Sequence, residues 1–304
     1  MDTLLRSISY YMERLDFPAD AQETFLSALQ TILSKPAAAD RFSDLLSQYE
    51  RSEHCPYKQM LADAVALAEP LGIHAYTVSV LLFLCLAEKL RRRYAERGLD
   101  EAIFFASLRD LRYKLEECRL VYGINGSFVA PWFSGFFDLS RFALGRLQFE
   151  IIRTREDYRF GCMDFPAGSP VINVHIPRTG TRMPYADVLE AYRLAAEMFA
   201  SDFTGRPMVF TCHSWLLDPW NLTVLSPSSN LAAFIRDYRI LQTGQFEGYG
   251  ELWRLFDCLC TDDTTNLPKD SSLRRAYAER IDRAEPIFWG QGFFLYLDGK
   301  ILTS

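Results

Sequence analysis

The chain has 304 residues, of which 49% are hydrophobic, 24% charged and 14% aromatic. This globular composition excludes disorder, and the length suits about two domains. Thirty-three Lys and Arg against 39 Asp and Glu give a net charge of −6, and residues 1–145 and 146–304 each come to −3. Without a basic tail or half, no nucleic-acid partner is expected, because that affinity depends on clustered cations.

Seven cysteines include no CxxC pair; the nearest two are Cys258 and Cys260. Met1-Asp2-Thr3 lacks the basic and apolar stretches of a secretion signal, so free thiols in a reducing, cytoplasmic setting are expected. The longest apolar run, Ala75 to Ala87, is interrupted by Tyr76, Thr77 and Ser79. It is too short to span a bilayer and reads as a buried helix, so no membrane partner is expected.

The first 120 residues read as helices. Leu4, Ile8, Tyr11, Met12 and Leu15 recur at helical spacing, and Asp20 with Glu23 reads as a capping box before Phe25, Leu29 and Ile32. Phe42, Leu45, Leu46 and Tyr49 form a third stripe, and Met60, Leu61, Ala64 and Leu67 a fourth, stopped by Pro70 and Gly72. A fifth helix, about His74 to Arg97, is apolar nearly all round at first and should be central. Asp100 caps a sixth, which carries Ile103, Phe104, Leu108, Leu111, Leu115 and Cys118 on one face. Residues 121–145 are rich in Gly and aromatics, and read as a packed interdomain segment.

From residue 146 the hydrophobic period changes to two, with Leu147, Phe149 and Ile151 alternating with Gln148 and Glu150. Further strands are expected at Tyr158–Cys162, Val171–Ile176, Met208–His213, Tyr238–Gln242 and Gly292–Leu297. Helices are expected at about Tyr185–Ser201, Trp215–Val224, Ser229–Ile235, Gly250–Leu259 and Ser271–Arg283. The expected organisation is an all-helical domain over 1–142 and a mixed α/β domain over 143–304.

Candidate chemistry gathers around the strand Val171–Ile176. Alternation puts Ile172, Val174 and Ile176 on one face and Val171, Asn173 and His175 on the other. Pro177 ends the strand, and Arg178-Thr179-Gly180-Thr181-Arg182 precedes a helix. Unpaired N–H groups and two guanidiniums at such a place suit a phosphate. The same residues also suit an ordinary connection with solvated arginines. Glu150 suits a general base or an interdomain ion pair. Cys212 and His213 are adjacent on a strand and point to opposite faces, which disfavours a Cys–His nucleophile. His213 and His175 could converge from neighbouring strands; with a cysteine they could bind zinc, although a histidine in a polar cleft is the simpler reading. Ser228-Ser229-Asn230 reads as helix capping.

Several stretches then occur in order: Leu144-Gly-Arg-Leu-Gln-Phe-Glu150, His175-Ile-Pro177 with Gly180, Cys212-His-Ser-Trp-Leu-Leu-Asp-Pro219, and Ser229-Asn230 before Phe234. With them the chain resembles bacterial two-domain acyltransferase-like proteins, which have a helical N-terminal acyltransferase domain followed by a GNAT-like C-terminal domain. The resemblance implies an acyl-CoA or acetyl-CoA cosubstrate, no metal, and a small-molecule amine or hydroxyl acceptor. Backbone at Asn173, Val174 and Ile176 would pair with pantetheine, and Arg178, Thr179, Gly180, Thr181 and Arg182 would hold the pyrophosphate. The turn departs from the usual Arg/Gln-x-x-Gly-x-Gly/Ala pattern, since Arg178 and Gly180 are two apart. His175 or Glu150 would accept the acceptor's proton, with His213 as a further candidate. Trp132, Phe133 and Phe136 are candidate walls of the acceptor pocket; Trp215 and Asn230 are further substrate-binding candidates, and Tyr238 is the candidate acid for the leaving thiolate. Two alternatives remain: a non-catalytic ligand-binding or regulatory protein on this fold, and a hydrolase using Cys212 or Ser214, which lacks G-x-S-x-G.

Overall fold

The computed structural model describes residues 2–51, 55–160 and 163–303. Two compact units divide the chain, Met1–Phe142 and Ala143–Ser304. In the first, the apolar spacings become helices α1 (Asp2–Arg14), α2 (Ala19–Leu33), α3 (Pro36–Arg51), α4 (Tyr57–Ala68), α5 (Ala75–Glu96), α6 (Glu101–Leu108) and α7 (Asp110–Tyr122). The run Val78 to Ala87 is buried all round, and α1, α2 and α4 pack against α5. Phe83 on α5 meets Tyr57, Phe133 and Phe137; burying such a ring stabilises by about 1.5–3 kcal/mol. Asp100 caps α6 by accepting a bond from the Ala102 N–H at 2.8 Å.

The expected capping box at Asp20 does not form. Pro18 occupies the N-cap of α2 with no side-chain bond, and Asp20 instead pairs with Arg119 at 2.8 Å. Residues 123–137 pack back on the helices. Ser127 donates to the Tyr76 carbonyl, and Gly126 lies so close to the Tyr76 backbone that a Cβ would collide with it. The segment then forms a short helix, α8 (Ser134–Phe137).

After β1 (Arg141–Leu144), which spans the boundary, the second unit runs β2 (Leu147–Arg153), β3 (Tyr158–Phe160), β4 (Met163–Phe165), β5 (Pro170–His175), α9 (Tyr185–Met198) and β6 (Met208–Ser214). It continues with α10 (Asn221–Val224), α11 (Asn230–Arg236), β7 (Arg239–Gln245), α12 (Trp253–Phe256), α13 (Ser272–Asp282), β8 (Phe288–Leu297) and β9 (Lys300–Leu302). The main sheet is ordered β1-β2-β5-β6-β8-β7, with β9 on β8, and β3 pairs only with β4. The expected strand to Cys162 ends at Phe160, and Cys162 lies outside the described residues.

The two sheet faces differ in chemistry. On one, Phe149 and Phe210 meet Tyr192 of α9, and Phe210 stacks on Phe294 at 4.9 Å. On the other, Val171, Val209, Phe293 and Leu295 form an apolar cluster, with Tyr158 and Phe165 of the β3–β4 hairpin packed on it. A buried ion pair anchors the loop after β6. Arg280 Nη1 donates to Asp218 Oδ2 at 2.8 Å, both side chains being almost wholly buried.

Candidate active site

The β5–β6 pair is parallel, and its ladder covers only Ile172↔Phe210 and Asn173↔Thr211. Beyond it, β5 stays on β2 as far as Gln148↔His175, and β6 stays on β8 as far as Ser214↔Gly290. The two central strands therefore part at their carboxyl ends. Backbone polar groups along such a fork need partners other than a neighbouring strand.

On the β5 arm, Glu150, Asn173 and His175 come together on the face away from α9. Glu150 lies opposite Asn173, and its Oε1 is 2.7 Å from His175 Nε2. The Asn173 amide donates to the same oxygen at 3.2 Å. With the carboxylate ionised, the short contact requires a proton on Nε2, which makes Nδ1 the basic nitrogen of the neutral ring. The triplet is half-buried, so its hydrogen bonds are less exposed to competition from water than those at an open surface.

His213 shares that face but stands on the β6 arm. Its ring lies 4.4 Å from that of Trp289, and burial lowers its pKa, so it is neutral at pH 7. Trp289 packs so closely on Gly244 of β7 that a Cβ there would collide with the indole. Cys212 faces the α9 side, fully enclosed, and burial pushes its thiol up to about 12. The two histidines and Cys212 therefore do not converge as a zinc set. Among the described residues no group of His, Cys, Asp and Glu is arranged to hold a metal ion.

After β5, the turn at 178–182 is folded on itself. The hydroxyls of Thr179 and Thr181 bond each other at 2.8 Å. Gly180 adopts φ +74°, a conformation that costs glycine little. Arg178 is engaged by Asp257 at 2.8 Å, and Asp257 is also held by Arg274 at 2.6 Å. Arg182 is exposed. The helix begins three residues after Arg182, with Pro184 at its N-cap. Its first N–H, that of Tyr185, is taken by Asn230 Oδ1 at 3.3 Å, so Asn230 joins the starts of α9 and α11. Val174 is buried and Ile176 half-buried.

The remaining candidates have packing partners of their own. Trp215 packs edge-on against Tyr277 at 5.7 Å. Tyr238 is buried, its hydroxyl 3.1 Å from that of Tyr192, and burial raises its pKa well above the usual phenol value. In the helical unit Phe133 and Phe136 are 1% exposed and have no open face. Trp132 lies under the Arg141 guanidinium, 3.6 Å from its ring centroid. The sequence reading missed Asp257 and Arg274, which hold Arg178, and the Gly244–Trp289 contact beside His213.

Known proteins share this organisation. Residues 6–139 match the model of an N-acyltransferase N-terminal domain, and residues 141–294 that of a GNAT-like C-terminal domain. No curated protein matches the chain. Among solved structures, an acyltransferase mutant in complex with octanoyl-CoA is 23% identical, with a TM-score of 0.73 over 93% of this chain and 85% of that one. An acyltransferase in complex with decanoyl-CoA and teicoplanin is 21% identical, with a TM-score of 0.72 over 93% and 86%. At these identities the likeness establishes the fold. The family follows from the matched domains: the chain belongs to the proteins in which an N-acyltransferase N-terminal domain is followed by a GNAT-like C-terminal domain.

Proposed function

We propose that the protein transfers an acyl group from acyl-CoA to an amine or hydroxyl of a small-molecule acceptor by direct attack. The observation that carries this reading is the fork between β5 and β6 with Glu150, Asn173 and His175 on one arm. The β6-facing edge of β5 beyond the last rung suits the amides of pantetheine, and the thioester would lie beside Asn173 and His175. His175, oriented by Glu150, would take the proton of the attacking group. The nearby octanoyl- and decanoyl-CoA complexes of the structural relatives support a medium-length acyl group. The six described cysteines are all free, which supports a reducing, cytoplasmic setting.

The test is release of CoA thiol from octanoyl-CoA in the presence of a panel of amine and alcohol acceptors. Binding of acyl-CoA without turnover across the panel favours the non-catalytic reading instead.

Arg178 and Arg182 are the proposed pyrophosphate ligands. Asp257 keeps Arg274 as a partner, so Arg178 is free to exchange Asp257 for a phosphate. Charge-assisted bonds of this kind contribute about 1.5–3 kcal/mol each, so Arg178→Ala should weaken CoA binding roughly ten- to a hundredfold. Calorimetry with CoA and with pantetheine checks this: pantetheine affinity should not respond to the substitution. Unchanged CoA affinity places the phosphates elsewhere.

A further inference from the structure

The second arm of the fork carries a surface that the reaction as drawn so far leaves idle. Thr211 is opposite Asn173 at the last rung. Two residues further on, His213 therefore stands across the opening from His175, on the same face of the sheet. The register extends this row away from the fork, with Gln291 opposite His213 and Gln242 opposite Gln291. Two residues before Gln291, again on this face, Trp289 lies opposite Gly244. The His213 side chain is exposed, and Trp289 is half-buried.

This shelf is built rather than incidental. The ladders of β6 on β8 and of β8 on β7 both continue beneath it, to Ser214↔Gly290 and Gln245↔Phe288. Gly244 lets the indole lie directly on the β7 backbone, a place that any Cβ would take from it. The His213 ring meets the indole at 4.4 Å between centroids and is tilted from it by 42°, so the two rings form an angled aromatic wall. Burial keeps His213 neutral at pH 7, and Trp289, Gln291 and Gln242 carry no charge. Rings in such an arrangement favour the face or edge of a planar aromatic group, and the amides beside them fix its substituents.

Resting on the acyl-CoA reading above, we infer that the shelf of His213 and Trp289 binds the acyl acceptor, and that this acceptor is an amine carrying an aromatic ring on a short carbon arm. The arm follows from the spacing. His175 is on β5 and Trp289 on β8, two strand positions or about 10 Å of sheet apart. A ring seated on the shelf therefore needs a few carbons to bring its nitrogen to the base. As that nitrogen bonds to the acyl carbon, its proton passes to His175, and the carbon–sulfur bond breaks with its electron pair on sulfur. The departing CoA takes one proton from solvent, and His175 returns one. His213 and Trp289 hold the ring and exchange no proton.

The test uses octanoyl-CoA with 3-phenylpropylamine, 3-cyclohexylpropylamine and propylamine, which share one arm and differ in the ring. The parent's kcat/KM should fall in that order. Trp289→Leu and Gly244→Ala, the second of which pushes the indole off β7, should each raise KM for the phenyl amine about three- to tenfold. Their kcat, and their KM for octanoyl-CoA and propylamine, should stay within about twofold of the parent. His213→Phe keeps a ring and removes both nitrogens, so it should preserve KM and kcat. Equal kcat/KM for the three amines, equal KM losses for propylamine and the phenyl amine, or a collapse of kcat in His213→Phe overturns the inference. Calorimetry of 3-phenylpropylamine with the CoA-loaded protein separates the two readings. Binding that Trp289→Leu abolishes, without turnover of any amine, counts against the acyltransferase reading and supports the shelf; no binding to the parent counts against the shelf.

Discussion

Replacing His175 with alanine is expected to lower kcat by about 10²–10⁴-fold, the cost of losing a general base, with little change in acyl-CoA affinity. The ring stands on the arm of the fork that stays paired with β2, and the 2.7 Å contact to Glu150 fixes its orientation. Glu150→Gln removes the charge that holds the proton on Nε2 and should lower kcat in the same direction by a smaller factor. His213→Ala is the contrast, because that ring is neutral, packs against Trp289 and sits on the other arm. Steady-state kinetics on the three variants decides the assignment. Small, equal effects of His175→Ala and His213→Ala would mark both rings as structural.

Asp218→Ala should destabilise the protein by about 3–5 kcal/mol, because it leaves Arg280 charged, buried and unpaired. Arg280 and Asp218 are 5% and 4% exposed. The guanidinium also lies over Trp220, 4.4 Å from its ring centroid, and Asp218 Oδ1 accepts from the Trp220 N–H at 3.0 Å. Beside it Tyr277 donates to Asn221 at 2.9 Å, and Asn221 donates to the carbonyls of Trp215 and Leu216. This network sets the path of the chain leaving β6. Urea denaturation followed by circular dichroism measures the loss. Replacing both members, Asp218→Leu with Arg280→Met, should recover much of it, since an apolar pair leaves no stranded charge. A single-variant loss under about 1 kcal/mol would mean that solvent reaches Arg280.

The faces of β5 were legible in the sequence because alternation needs no partner: Val171, Asn173 and His175 had to share a side. The helical unit was legible for the same local reason. The fork was not, since it depends on how β5 pairs with β6, 38 residues later in register. Strand ends were blurred where side chains are missing or few. Gly290 and Gly292 hid the start of β8 at Phe288, and β1 and β9 are four and three residues long. Trp132, Phe133 and Phe136 read as pocket walls because composition cannot distinguish an aromatic lining from an aromatic core.

Among the described residues two backbone rungs, Ile172↔Phe210 and Asn173↔Thr211, join the β1-β2-β5 half of the sheet to the β6-β8-β7 half. Each half has its own ladders, and the backbone seam between them is short; Phe149 against Phe210 on one face and Val171 with Val209 on the other hold it through side chains. A pantetheine arm laid along β5 would act as a temporary strand across that seam. Amide hydrogen exchange at 174–176 and 212–214 should then slow when CoA binds, while exchange within β8 changes little. Saturating ligand, at a hundredfold excess over Kd, would add about 2.7 kcal/mol to the stability of the unit. The substrate would thereby complete the sheet that binds it.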